Sequence, residues 1–128
     1  MNSILISGAA GFIGSHLCDF FLNKQFKVIA IDNFMTGCMK NINHNLKNEN
    51  FSFIEHDICN PIEIKNKLDY ILHFASPASP LDYLNNPIET LRIGSTGTEN
   101  MLNLAFKNNC TILVAVSYTH LTLPTRIF

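Results

Sequence analysis

Short apolar runs along the chain alternate with stretches in which apolar residues recur every three or four positions. Ile4–Ser7 is the first run and leads into glycine. From Phe12 to Lys24, Ile13, Leu17, Phe20 and Phe21 fall at helical spacing, which predicts a helix. Lys27–Ile31 is a second β-rich run, stopped by Asp32-Asn33. The segment Thr36–Asn50 is polar, rich in Asn and weakly periodic, and reads as a loop holding a short helix. Phe51–Ile54 is a third strand, Pro61–Lys67 a short helix and Tyr70–Phe74 a fourth strand. A long helix is expected from Pro87 to Asn108, with Ile88, Leu91, Ser95, Thr98, Leu102 and Ala105 on one face. That face is small in its middle, which suits packing on a sheet. Thr111–Val116 is predicted as a fifth, buried strand.

Strand and helix in repeated alternation predict an α/β doubly wound parallel sheet of about five strands. Its crossovers should be right-handed, which puts ligands at the carboxyl ends of the strands. Each motif considered below falls at one of those ends.

The length of 128 residues allows one domain, and 47% apolar with 15% charged residues is ordinary globular chemistry. A net charge of −1 gives no sign of a nucleic-acid or membrane-surface partner, and none is expected. The apolar runs are too short to span a bilayer. Met1-Asn2-Ser3 opens without a basic stretch or cleavage site. The cysteines Cys18, Cys38, Cys59 and Cys110 show no C-x-x-C or zinc-like spacing. They read as reduced thiols and core fillers in a cytoplasmic protein, with no metal site.

The first strand runs into "GAAGFIGSH", which places Gly8, Gly11 and Gly14 in G-x-x-G-x-x-G spacing. Such a turn lets backbone approach a pyrophosphate, whose charge is met by the helix N-terminus; glycines also simply make turns. Asp32 closes the second strand eighteen residues after Gly14, the place of the acid that accepts from an adenosine ribose. No Arg follows it before Arg92, which favours NAD over NADP. Asp57, with Ile58 beside it, could accept from an adenine amino group, and equally could cap a helix. Phe74, Ala75 and Ser76 end the fourth strand, where the nicotinamide half would lie. His16, His44, His56 and His73 have no ligand companions at usable spacing and are read as structural.

With these residues in place, the chain resembles the extended short-chain dehydrogenase/reductases that act on nucleotide sugars, over Ile4 to about Ala115. "GAAGFIGSHL" and "DNFMTG" carry the general resemblance. "HFASPASPLDYLNNPIETL", with its S-P-A-S-P element, is similar to the UDP-glucuronate decarboxylase branch. The resemblance implies that Gly8, Gly11, Phe12, Ile13 and Gly14 contact the pyrophosphate of NAD. It implies Asp32, Asn33, Met35 and Thr36 around the adenosine ribose, Asp57 and Ile58 at adenine, and Phe74 and Ser76 at the nicotinamide. Arg92, Asn100 and Lys107 are the implied contacts to a UDP-sugar, UDP-glucuronate first among candidates. Gly94 and Ile93 depart from the family, which commonly has Asn and Thr there. The implied reaction is oxidation at C4 by NAD, loss of the C6 carboxylate as CO₂, and return of the hydride to give UDP-xylose, in a homodimer.

The same resemblance implies a Tyr–Lys pair for the proton work. Tyr118 has Thr122 four residues on, and no lysine follows Lys107, so no catalytic residue is assigned in this chain. Ser117–Phe128 lacks Asn, Lys, Asp and Glu altogether, and "VSYTHLTLPTR" resembles translated sequencing-adapter read-through. The expectation is therefore a domain 1–116, the N-terminal part of an NAD-binding Rossmann domain, followed by a non-native tail 117–128. Such a chain should be inactive and, with a sheet edge exposed, poorly soluble. The competing readings are a dTDP-glucose dehydratase or UDP-sugar epimerase of the same family, and a non-catalytic NAD-binding module.

Overall fold

Alternation along β1 (Ser3–Ser7) decides how the molecule is layered. Every residue of this strand is buried, and successive side chains point to opposite faces of the sheet. Leu5 enters one apolar cluster, while Ile4 and Ile6 enter another on the far side. A strand that is apolar on both faces needs cover on both, and the chain supplies it with helices. The computed structural model describes residues 1–77 and 79–115.

The remaining elements are α1 (Phe12–Asn23), β2 (Lys27–Asp32), β3 (Phe51–Glu55), β4 (Tyr70–His73), α2 (Pro80–Asn85), α3 (Pro87–Arg92), a π-turn (Ile93–Gly97), α4 (Thr98–Asn108) and β5 (Thr111–Val114). Two 3₁₀ turns, Met39–Asn41 and Asn43–Asn45, sit in the segment read as a loop with a short helix. The strands form one parallel sheet in the order β3-β2-β1-β4-β5. Ile4 is level with Val28 on one side and Tyr70 on the other. Cys18 of α1 packs with Ile4, Ile6, Val28 and Ala30 on one face. Met101, Leu104 and Ala105 of α4 pack with Leu5, Ile29, Ile31 and Ile71 on the other. The doubly wound architecture expected from the sequence is the one observed, without a closing sixth strand among the described residues.

Four local expectations are corrected. Residues 61–67 form no helix; Ile62 and Ile64 both pack against the α4-side core, which an extended backbone permits and a helix would not. Of the apolar residues predicted along α1, Ile13 and Phe20 are exposed; Gly14, Ser15 and Cys18 form its buried face. The long helix from Pro87 to Asn108 is broken in register by the π-turn. Its buried positions are Ile93, Gly97, Met101, Leu104 and Ala105, while Ile88, Leu91 and Leu102 face outward. β5 is an edge strand with exposed and half-buried residues in alternation, not a buried one. α2 went unpredicted; it opens with Ser79 at the N-cap position, Pro80 in the first turn and Asp82 beside it.

Candidate dinucleotide cleft

The turn after β1 is held by backbone that only glycine allows. Gly8 sits at φ +72°, and a Cβ there would lie 2.5 Å from the Phe74 carbonyl oxygen. Gly14 of α1 presses on Gly8 with no room for a side chain. The first intrahelical bond of α1 runs from Ser15 N–H to Gly11 O at 3.0 Å. The N–H groups of Phe12, Ile13 and Gly14 therefore precede the helix's own ladder and gather at its positive end. The result is a cradle for an anion, at the carboxyl ends of the strands.

Asp32, 8% exposed, stands beside this cradle and braces it. Its Oδ2 accepts from Ala10 N–H at 2.9 Å and its Oδ1 from Phe34 N–H at 2.7 Å. Each oxygen retains a lone pair for a further donor. Asn33 Oδ1 accepts from Met35 N–H at 3.0 Å, closing the turn that carries Met35 and Thr36. The loop beyond returns to the glycine turn: Cys38 N–H and Asn41 Nδ2 both donate to Ala10 O, at 3.0 and 2.7 Å. Asp19 on α1 ties down the same loop, accepting from His44 at 2.8 Å and Asn45 at 2.6 Å. Partial burial would raise the Asp19 carboxyl, but those two bonds and the charges of His44 and His16 hold it below its usual value.

No helix begins at Asp57, so it caps none; its Oδ1 accepts from Cys59 N–H at 2.9 Å in a local turn, and the residue lines the cleft. Ile58 is buried, with its side chain over Gly97, where a Cβ would stand 2.8 Å from Ile58 Cδ1. The cleft has a volume of about 1180 Å³. All thirteen residues predicted for a cofactor, Gly8, Gly11, Phe12, Ile13, Gly14, Asp32, Asn33, Met35, Thr36, Asp57, Ile58, Phe74 and Ser76, line it.

The three predicted sugar contacts do not line the cleft. Arg92 ends α3 on the surface, close enough for its charge to oppose the rise that burial and Asp57 impose on the Cys59 thiol. Asn100 is used internally, Nδ2 donating to Ile58 O at 2.7 Å. Lys107 lies in the last turn of α4, next to the start of β5, at the opposite end of the sheet; it pairs with Glu63 at 3.6 Å. Ser117 and Tyr118, with the rest of 117–128, lie outside the described residues.

Residues that sequence reasoning did not assign to the site also line it, among them Asp82 and Tyr83 of α2, Thr90 of α3, and Gly94 and Ser95 of the π-turn. The S-P-A-S-P stretch was the available signal, since Ser79-Pro80 begins the helix that carries Asp82 and Tyr83 to the cleft. His73 lies in the floor and is 4% exposed. Burial holds its imidazole below the usual 6.5. As pH falls below 6.5 the unfolded chain takes up a proton here that the folded chain resists, so stability falls toward acid and is unaffected above neutrality. Melting curves at pH 7.5 and 5.5 should show a loss in the parent that exceeds the loss in His73→Gln; equal losses would show that His73 is not the group responsible. Cys18, by contrast, is chemically quiet, its thiol pushed up to about 12 by burial and then by the charge of Asp19.

A parallel sheet wound on both faces, with a glycine turn after β1 and a buried acid ending β2, defines a Rossmann-type α/β protein. The sequence model of the NAD dependent epimerase/dehydratase family matches residues 4–121, and the chain belongs to that family. It is 46% identical over 112 residues to UDP-glucuronic acid decarboxylase 1 of Danio rerio, covering 88% of this chain and 26% of that protein. It is 44% identical over 102 residues to UDP-glucuronic acid decarboxylase 4 of Arabidopsis thaliana, covering 80% and 23%. Among solved structures it is similar to a UDP-N-acetylglucosamine 4-epimerase from Methanobrevibacter ruminantium M1 in complex with UDP-N-acetylmuramic acid. That likeness has a TM-score of 0.75 and 27% identity, covering 91% of this chain and 38% of the other. The chain thus spans about a quarter of the length of the curated relatives it matches.

Proposed function

We propose that this chain is the NAD-binding portion of a cytoplasmic nucleotide-sugar decarboxylase that converts UDP-glucuronate to UDP-xylose. The observation that carries the cofactor half is the pairing of the Gly8–Gly14 cradle with the buried Asp32 carboxylate beside it. The likeness to UDP-glucuronic acid decarboxylases supports the substrate. When bound, NAD would supply reversible hydride removal at the sugar.

The chain's own residues do the holding. The free N–H groups at the start of α1 would meet the pyrophosphate charge. The open lone pairs of Asp32 would accept from the ribose hydroxyls, and the same charge would repel a 2′-phosphate. Asp57 and Ile58 would flank the adenine, Met35 and Thr36 would stand by the ribose, and the walls from Phe74 to Ser76 would exclude water on the other side. We further place a homodimer contact on the outward apolar residues Ile88, Leu102 and Phe106, which are 64%, 47% and 89% exposed.

Calorimetric titration of the enzyme containing this sequence tests the cofactor. NAD should bind, and NADP should bind about tenfold or more weakly; equal binding, or none, would overturn the reading. For the substrate, CO₂ release from UDP-glucuronate by the enzyme containing this sequence is the expected result. Turnover of dTDP-glucose, or epimerisation of a UDP-sugar without CO₂, would assign it elsewhere in the family.

A further inference from the structure

The floor of the cleft contains a directed chain of hydrogen bonds that crosses from the sheet into the helical wall. Ser7 Oγ and His73 Nδ1 are 2.7 Å apart, and His73 Nε2 lies 3.0 Å from Thr98 Oγ1. Phe74 N–H donates to Ser7 Oγ at 3.1 Å, and Thr98 Oγ1 is 3.4 Å from Ile93 O. Ser7 and His73 are buried, so each hydrogen needs an acceptor inside the protein.

That requirement fixes the direction. Ser7 Oγ already accepts from Phe74, so its own hydrogen goes to His73 Nδ1. The ring hydrogen is then on Nε2 and is donated to Thr98 Oγ1, whose hydrogen goes to Ile93 O. The reverse order would put a second donor on Ser7 Oγ and leave the Ser7 hydrogen without an acceptor among the described residues.

The chain ends on the π-turn, the part of the helical wall that local preference supports least. Isolated π-turns are rare, and this one holds Gly94 and Gly97 within five residues, glycine being a poor helix former. Ile93 O accepts from Thr98 N–H as well as from its hydroxyl, so Thr98 closes the turn on both sides. His73–Thr98 is the one side-chain hydrogen bond from the sheet to this closure among the described residues. Ile93, Gly94 and Ser95 of the same turn line the cleft.

We propose that His73 is a positioning residue for the cofactor cleft: as a neutral imidazole protonated on Nε2, strung between Ser7 and Thr98, it sets the π-turn that presents Ile93, Gly94 and Ser95 to the cofactor. The inference rests on the reading of the cleft as an NAD site. It assigns His73 no contact with the reacting atoms.

The two ends of the imidazole can be tested separately. Gln places its amide nitrogen where Nε2 stands and keeps the Thr98 bond; Asn reaches only the Nδ1 position and keeps the Ser7 bond. NAD affinity by calorimetry should therefore stay within about twofold of the parent in His73→Gln and Thr98→Ser. It should fall about three- to tenfold in His73→Asn and Thr98→Val, as for one lost neutral hydrogen bond. A purely structural role would lower affinity in step with melting temperature, without regard to which end is kept. Parent-like NAD binding by Thr98→Val, which preserves side-chain shape and so guards against a folding defect in His73→Asn, would overturn the proposal. So would an imidazole ¹⁵N spectrum showing the proton on Nδ1. Failure of the parent to bind NAD would instead overturn the cofactor reading, a different result from a parent and a Thr98→Val variant that bind equally well.

Discussion

Gly8→Ala should destroy the cleft and strip the chain of much of its stability. The backbone there is at φ +72°, where an L side chain costs about 1–2 kcal/mol. The new Cβ would also meet Phe74 O at 2.5 Å, Phe74 C at 2.7 Å and Ala75 N at 2.9 Å. All three are backbone atoms just past the end of β4, so no side chain can swing aside. Relief requires parting β4 from β1, which are joined there by Phe74 N–H to Ser7 O at 3.2 Å. Overpacking of this kind costs about 1–3 kcal/mol more. Against a total of about 5–15 kcal/mol for a domain, that is a large fraction. A melt should show a fall of at least about 10 °C, with NAD binding abolished. A variant that melts with the parent would mean that the turn can adopt another conformation, and the anion cradle would have to be redrawn.

The second large effect is expected from Asp32→Asn, because this carboxylate has two separate tasks. Internally it accepts from Ala10 N–H and Phe34 N–H, one on each oxygen. An amide can satisfy only one of them and turns a donor toward the other, inside a site that is 8% exposed. The expected cost is about 1–3 kcal/mol of stability. Externally, the negative charge that disfavours a 2′-phosphate is gone. NAD affinity should fall and the preference over NADP should shrink toward parity, measured by parallel titrations. Retained discrimination would shift the source of selectivity from Asp32 to Asn33 or Thr36.

The glycine turn, Asp32 and the strand ends were legible in the sequence because each rests on local chemistry: a turn with no room for a side chain, or an acid closing an apolar run. The doubly wound parallel class followed from alternation of strands and helices, whereas the strand order is visible only in the structure. The positions along α4 were not legible, since an ideal 3.6-residue periodicity carried through Ile93–Gly97 puts Leu91 and Leu102 on the wrong side. The extra residue of the π-turn leaves no apolar signature of its own. Arg92, Asn100 and Lys107 rested on the family resemblance rather than on periodicity; in this structure Asn100 is bonded to Ile58 O and Lys107 is paired with Glu63. Residues 61–67 failed for a different reason: Ile62 and Ile64 are two apart, the spacing of an extended segment that turns both to the core, over a stretch too short to show a period. His73 was correctly read as a satisfied histidine. Its partners, Ser7 and Thr98, lie 66 and 25 residues away, beyond any local pattern.

The strand order β3-β2-β1-β4-β5 bears on how the molecule is born. As the chain leaves the ribosome, β2 can dock beside β1 and β3 beside β2. The next strand, β4, then takes the vacant flank of β1, and β5 follows outside it. No strand has to be threaded between two already joined, so growth proceeds outward in the direction of synthesis. A parallel sheet, whose distant pairings ordinarily make folding slow, can with this order add each new strand at a free edge during synthesis.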